Sequence, residues 1–215
     1  RPMERSRLLG LLLNIWYGEA FDLKEGQWSP EKGRPFIESD GQSLFLPAVM
    51  ADNDEAVLSV LHAAGHMVYG SYDKEDVLQI LEEADVDPPA ADQPISLLPV
   101  FARYGVDALR FKLIFDVVED LRIDFLIAQR VPNHMRRMLR AAEAQGVPPE
   151  PAADYYRYAM RTLQFALGRD SGLPATACDL LRRMLAVEAT IMDAFRIASA
   201  LYETTDLPSI EVPES

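Results

Sequence analysis

Cysteine is all but missing from this 215-residue chain. Cys178 stands alone, so no internal disulfide can form, and a reducing cytoplasm is the expected compartment. Positive charge is scarce as well. Lys and Arg number 21 against 34 Asp and Glu, a formal net charge of −13. Such a surface repels phosphate backbones and anionic lipid, which argues against a nucleic-acid binder or a basic membrane-surface module. Long apolar runs are missing too: stretches such as Leu11-Leu12-Leu13 fall far short of the roughly 20 residues that span a bilayer. No Gly-Lys-Ser/Thr phosphate loop occurs, and no charged-then-apolar leader opens the chain. The sequence starts at Arg1 rather than an initiator methionine and is read as a piece of a longer protein.

What is present is ordinary globular material, 49% hydrophobic and 26% charged, enough for a buried core. Apolar residues at helical spacing predict helices over residues 3–17, about 53–69, 75–83, 106–130 and 134–145, then three more before Leu207. Gly18 and Gly70 stop the first two, and Val131-Pro132-Asn133 breaks the longest. Residues 22–35, rich in Gly, Pro, Lys and Glu, read as a loop. The Asp40-Gly41 pair between 34–38 and 43–46 signals a short β-hairpin, with Pro47 ending its second strand. The expected organisation is a helical module with a hairpin over 1–145, a helical extension packed on it over 146–205, and a linker to an absent domain over 206–215.

Two of the three histidines lie within Leu61-His62-Ala63-Ala64-Gly65-His66-Met67-Val68-Tyr69-Gly70. Positions i and i+4 of a helix share a face, so His62 and His66 project together, at the spacing of the zinc-protease helix His-Glu-x-x-His. They supply two of the three protein ligands that an open zinc site uses. Glu119, on the long helix, is the expected third ligand, and His134 is another candidate if the chain folds back past Pro132. The plainer alternative makes both histidines core residues hydrogen-bonded to Glu119 or Asp120. Arg122 falls in the middle of the apolar stripe of that helix, so it must be paired or coordinated. His62, His66, Glu119, Asp120, Arg122 and Asp124 are the expected polar network. Hydrolysis needs a carboxylate beside the first histidine to take the proton of metal-bound water, and Ala63 occupies that place, so a catalytic role is not expected. Cys178 reads as a structural thiol, Asp170-Ser171-Gly172 as an interhelical loop, and Arg136, Arg137 and Arg140 as a solvated face.

The order and spacing of Leu44-Phe45-Leu46-Pro47, His62-Ala63-Ala64-Gly65-His66 with Tyr69-Gly70, and Glu119-Asp120-x-Arg122-Ile123-Asp124 before Pro132 carry a resemblance over residues 44–140. The chain resembles the N-terminal region of NorD/CbbO-type proteins, which work with MoxR-family AAA+ ATPases. The resemblance implies a mainly α, multi-helix domain with a short β-hairpin and a degenerate zincin-like helix pair. It also implies a non-enzymatic, cytoplasmic adaptor with a chaperone role, docking on an ATPase hexamer and coupling it to a client. Tyr69-Gly70-Ser71-Tyr72-Asp73 and Arg122-Ile123-Asp124 lean toward the CbbO branch, implying Rubisco activation with a CbbQ-like ATPase. NorD-like maturation of nitric oxide reductase is the alternative, and a metal-dependent hydrolase on the His62/His66 helix is a further one. Zinc is the one cofactor to consider. The Asp-x-Ser-x-Ser motif of the von Willebrand factor A domain that ends such proteins does not occur here.

Overall fold

A long, largely buried helix is what the other elements gather around. In the computed structural model, which describes residues 2–26, 38–39, 41–47, 53–90, 93–149 and 152–204, this is α5, Ala108–Ala128. Phe111, Val117, Leu121 and Ile127, pointing in different directions from its axis, are all buried. Before it come α1 (Pro2–Tyr17), β1 (Asp22–Gly26), β2 (Glu38–Ser39), β3 (Ser43–Pro47), α2 (Asn53–Val68), α3 (Lys74–Glu83) and α4 (Leu98–Ala102). A 3-10 turn, Gly105–Asp107, leads directly into α5. After it come α6 (His134–Gln145), α7 (Ala152–Ala166), α8 (Ala175–Arg182) and α9 (Ile191–Glu203). The protein is mainly helical with a small sheet, as the periodicity predicts.

Two hydrophobic cores meet on α5. The larger joins α3, α4 and α6–α9 to the first two-thirds of α5, with the Phe111 ring edge-on to Phe195 of α9 at 6.1 Å. The residues after 146 complete this core through Tyr158, Leu163, Leu181 and Leu201. The smaller core packs α1, the sheet and α2 against Ile123, Ile127 and Val131. Tyr17, at the end of α1, fixes α1 to α2 by donating its hydroxyl to the Leu61 carbonyl at 2.7 Å.

The sheet departs from expectation in one respect. Residues 22–26, expected to be loop, form β1, which pairs in parallel with β3, while β2 pairs antiparallel on the other side, giving the order β1-β3-β2. Asp22-Leu23-Lys24-Glu25-Gly26 contains one apolar residue, so no alternation marks it as a strand. It is recruited by β3, where Leu23 pairs with Leu44 and the Ser43 hydroxyl donates to Asp22 at 2.8 Å. The expected hairpin is represented by Glu38 and Ser39 against Phe45 and Leu44. Its residues 34–37, Asp40, the rest of the expected 22–35 loop and the 206–215 linker lie outside the described residues. α4 is also unanticipated, since a five-residue helix is too short to display a period. Among the described residues no helix is long and apolar enough to cross a membrane.

α2 and α5 approach closely because position 65 lacks a side chain. A Cβ there would lie 2.8 Å from Ile123 Cγ2 and 2.9 Å from Ile127 Cδ1, closer than carbon atoms pack. Both isoleucines are fully buried, so neither can swing away. Gly65→Ala gains about 1 kcal/mol of helix propensity but overpacks the contact by about 1–3 kcal/mol. We expect net destabilisation, read as a lower urea midpoint with an unchanged m-value.

Candidate metal centre

All three histidines of the chain converge on α5. The reason is a ladder of polar residues on that helix. Lys112, Asp116, Asp120 and Asp124 recur every fourth position and so share a face, along which α2 lays its own i, i+4 pair, His62 and His66. His62 Nδ1 stands 2.9 Å from Asp124 Oδ1. An ionised carboxylate only accepts, so this nitrogen carries the hydrogen, and His62 Nε2 is left facing Asp120 Oδ1 at 3.3 Å.

His66 is oriented from the other side. Gly70 takes a left-handed φ of 80°, turning the chain so that the Ser71 N–H donates back to the His66 carbonyl at 3.0 Å. That turn brings Ser71 Oγ to 2.8 Å from His66 Nδ1. The Ser71 hydroxyl donates to Glu119 Oε1 at 2.5 Å, so toward His66 it accepts, and His66 Nδ1 also carries its hydrogen. His66 Nε2 then faces His62 Nε2 at 3.1 Å and Asp120 Oδ1 at 3.2 Å. The other Asp120 oxygen accepts from the Tyr155 hydroxyl of α7.

Glu119 does not join the histidines. It turns to Arg122, receiving Nε at 2.8 Å and Nη2 at 2.5 Å in a two-pronged pair, and both groups are buried. Arg122 Nη1 donates to the Tyr69 carbonyl at 3.0 Å and to the Ala189 carbonyl at 3.1 Å. The carboxylate that the structure brings to the two histidines is therefore Asp120, not the expected Glu119. The helical step explains the correction. Asp124 must reach His62 Nδ1, and the residue on the same face one turn earlier is Asp120, whereas Glu119 is rotated away. The signal in the sequence was the Asp116, Asp120, Asp124 repeat of four. His134 does fold back past Pro132, but as a support: its Nε2 lies 2.8 Å from the same Asp124 oxygen that holds His62.

The carboxylates and imidazoles of the site stabilise one another's charged forms. Burial pushes the Asp120 carboxyl up, but His62 and His66 outweigh it and hold the group well below the usual carboxylate range. Asp124, buried likewise, is held down at about 2 by His62 and His134. Burial pulls His62 down, yet Asp124 and Asp120 raise it well above its ordinary value. One turn earlier, burial pushes Asp116 up to about 6 despite its pairing with Lys112. A cleft of about 570 Å³ reaches the site, lined by His66, Ser71, Lys74, Asp116, Glu119 and Asp120 among others. A smaller cavity of about 270 Å³ touches its far side at His62, Asp120, Asp124 and Tyr155.

Other candidates stay apart from this centre. Cys178 is half-buried against the Leu173 carbonyl. Asp170 and Ser171 accept from the backbone N–H groups of Gly172 and Leu173 within their own loop. Arg136 and Arg140 lie exposed on α6.

Removing Arg122 strands a buried carboxylate and two carbonyls, so Arg122→Ala should cost about 3 kcal/mol in urea unfolding. The acid limb of stability has a defined source. Asp124 is depressed from 3.8 to about 2, so its contribution is intact above pH 4 and disappears as pH falls through 2. That contribution is about 2 kcal/mol. Asp124→Asn should flatten the fall in urea midpoint between pH 4 and pH 2.

Comparison with protein-family models, with curated proteins and with solved structures finds no match for this chain.

Proposed function

We propose that this chain is a non-enzymatic, cytoplasmic adaptor module that docks on a MoxR-type AAA+ ATPase hexamer and couples it to a client enzyme. Remodelling of inhibited Rubisco is the first-ranked client process, and NorD-like maturation of nitric oxide reductase the second. The resemblance of residues 44–140 to the NorD/CbbO N-terminal region supplies the partner. The observation that supports a non-enzymatic role is Ala63. It is buried beside His62 where hydrolysis would use a carboxylate, and Glu119 on α5 spends both oxygens on Arg122. The buried polar network then serves architecture, holding α2, α5 and the approach to α9 in one arrangement. In this reading, contact with the client runs through a von Willebrand factor A domain elsewhere in the full protein.

Immobilised chain should retain a MoxR-type ATPase hexamer in the presence of ATP. Failure to retain any such ATPase overturns the adaptor reading.

Asp116 favours a second reading, a metal-dependent hydrolase. It lines the cleft with His66 and Asp120, and a carboxyl raised to about 6 suits a general base. Peptide hydrolysis by the purified chain that disappears in Asp116→Asn would establish this reading. Its absence across a peptide library leaves the adaptor.

A further inference from the structure

We infer that His62 Nε2, His66 Nε2 and Asp120 Oδ1 form a three-ligand site for a divalent ion of the zinc class. This inference stands on the geometry of the site and does not depend on the adaptor reading. The first support is the count of hydrogens. Asp124 and Ser71 take the Nδ1 hydrogens of His62 and His66, so both Nε2 atoms turn their remaining positions toward each other and toward an acceptor-only carboxylate oxygen. Three such atoms lie 3.1, 3.2 and 3.3 Å apart. A single hydrogen on His62 Nε2 serves at most the two edges that meet there and leaves the third, His66 Nε2 against Asp120 Oδ1, acceptor facing acceptor. One cation satisfies all three.

The second support is size. Ligand atoms about 2.0–2.1 Å from a tetrahedral zinc ion are about 3.3 Å from one another, and the observed triangle matches that face of a tetrahedron. Two imidazoles and one carboxylate also choose the ion. Calcium and magnesium seek all-oxygen shells, whereas nitrogen-rich sets suit zinc, cobalt or nickel.

The third support is the ring of secondary contacts. Every proposed ligand is gripped through its other polar atom: His62 by Asp124 and in turn His134, His66 by Ser71 and in turn Glu119, Asp120 by Tyr155. Such contacts fix tautomer and direction before the ion arrives. The ligand side chains keep 19–24% of their surface exposed, which marks an open site rather than a closed structural one. A water molecule or an incoming ligand completes the coordination.

Elemental analysis of the full chain, purified without chelator or added metal, should find about one equivalent of such an ion. Cobalt(II) added to chelator-stripped protein should give the intense visible bands of four-coordinate cobalt. Asp120→Asn, checked for retained helicity by circular dichroism, should lose both signals. Tyr155→Phe should keep the ion but weaken its affinity about 10–100-fold. A wild-type chain with neither bound metal nor four-coordinate cobalt bands overturns the assignment, as does an Asp120→Asn chain that keeps both.

Discussion

The contact of α2 with α5 at Gly65 governs the distances on which everything else rests. Helices usually pack with axes 8–10 Å apart, the value depending on the side chains between them. Here a hydrogen atom on one helix meets two fully buried isoleucines on the other. That tight spacing lets short aspartate side chains span from α5 to the imidazoles of α2. The apolar contact and the polar constellation therefore form one construction. Ile123 and Ile127 belong to the smaller core, while Asp120 and Asp124 occupy the adjoining face of the same helix.

Around this contact the buried charges are arranged so that few polar atoms go without a partner. A guanidinium left alone in such surroundings would cost several kcal/mol. Arg122 meets two carboxylate oxygens and two backbone carbonyls, which draw on α5, the end of α2 and the segment before α9. Asp124 is shared by two histidines and Asp120 by two histidines and a tyrosine. Among the described residues, His134 Nδ1 stands out as a buried ring nitrogen without a hydrogen-bond partner.

Much of this was legible in the sequence, for identifiable reasons. The i, i+4 histidines, the buried charge at Arg122 and the break at Pro132 are local signals, and each leads to the feature it implied. α5 was legible as a helix but not in its orientation. Its apolar residues spread over most of its circumference, so the stripe alone does not say which carboxylate faces α2, and the assignment fell on Glu119 instead of Asp120. β1 was illegible because its hydrogen bonds come from β3 across 21 residues, with no apolar alternation of its own. α4 lacks the length to show a period. Tyr155 could not be linked to Asp120 at all, because 35 residues and a helix turnaround separate them.

The bond from Arg122 to the Ala189 carbonyl spans 67 residues of chain. During synthesis, α5 leaves the ribosome well before that carbonyl exists, so the guanidinium waits one acceptor short while α6, α7 and α8 are still being made. The centre formed by the middle of the chain is thus finished only by its last quarter. A truncated product that stops before Ala189 would carry every histidine and carboxylate of the site yet leave the clasp beneath them open.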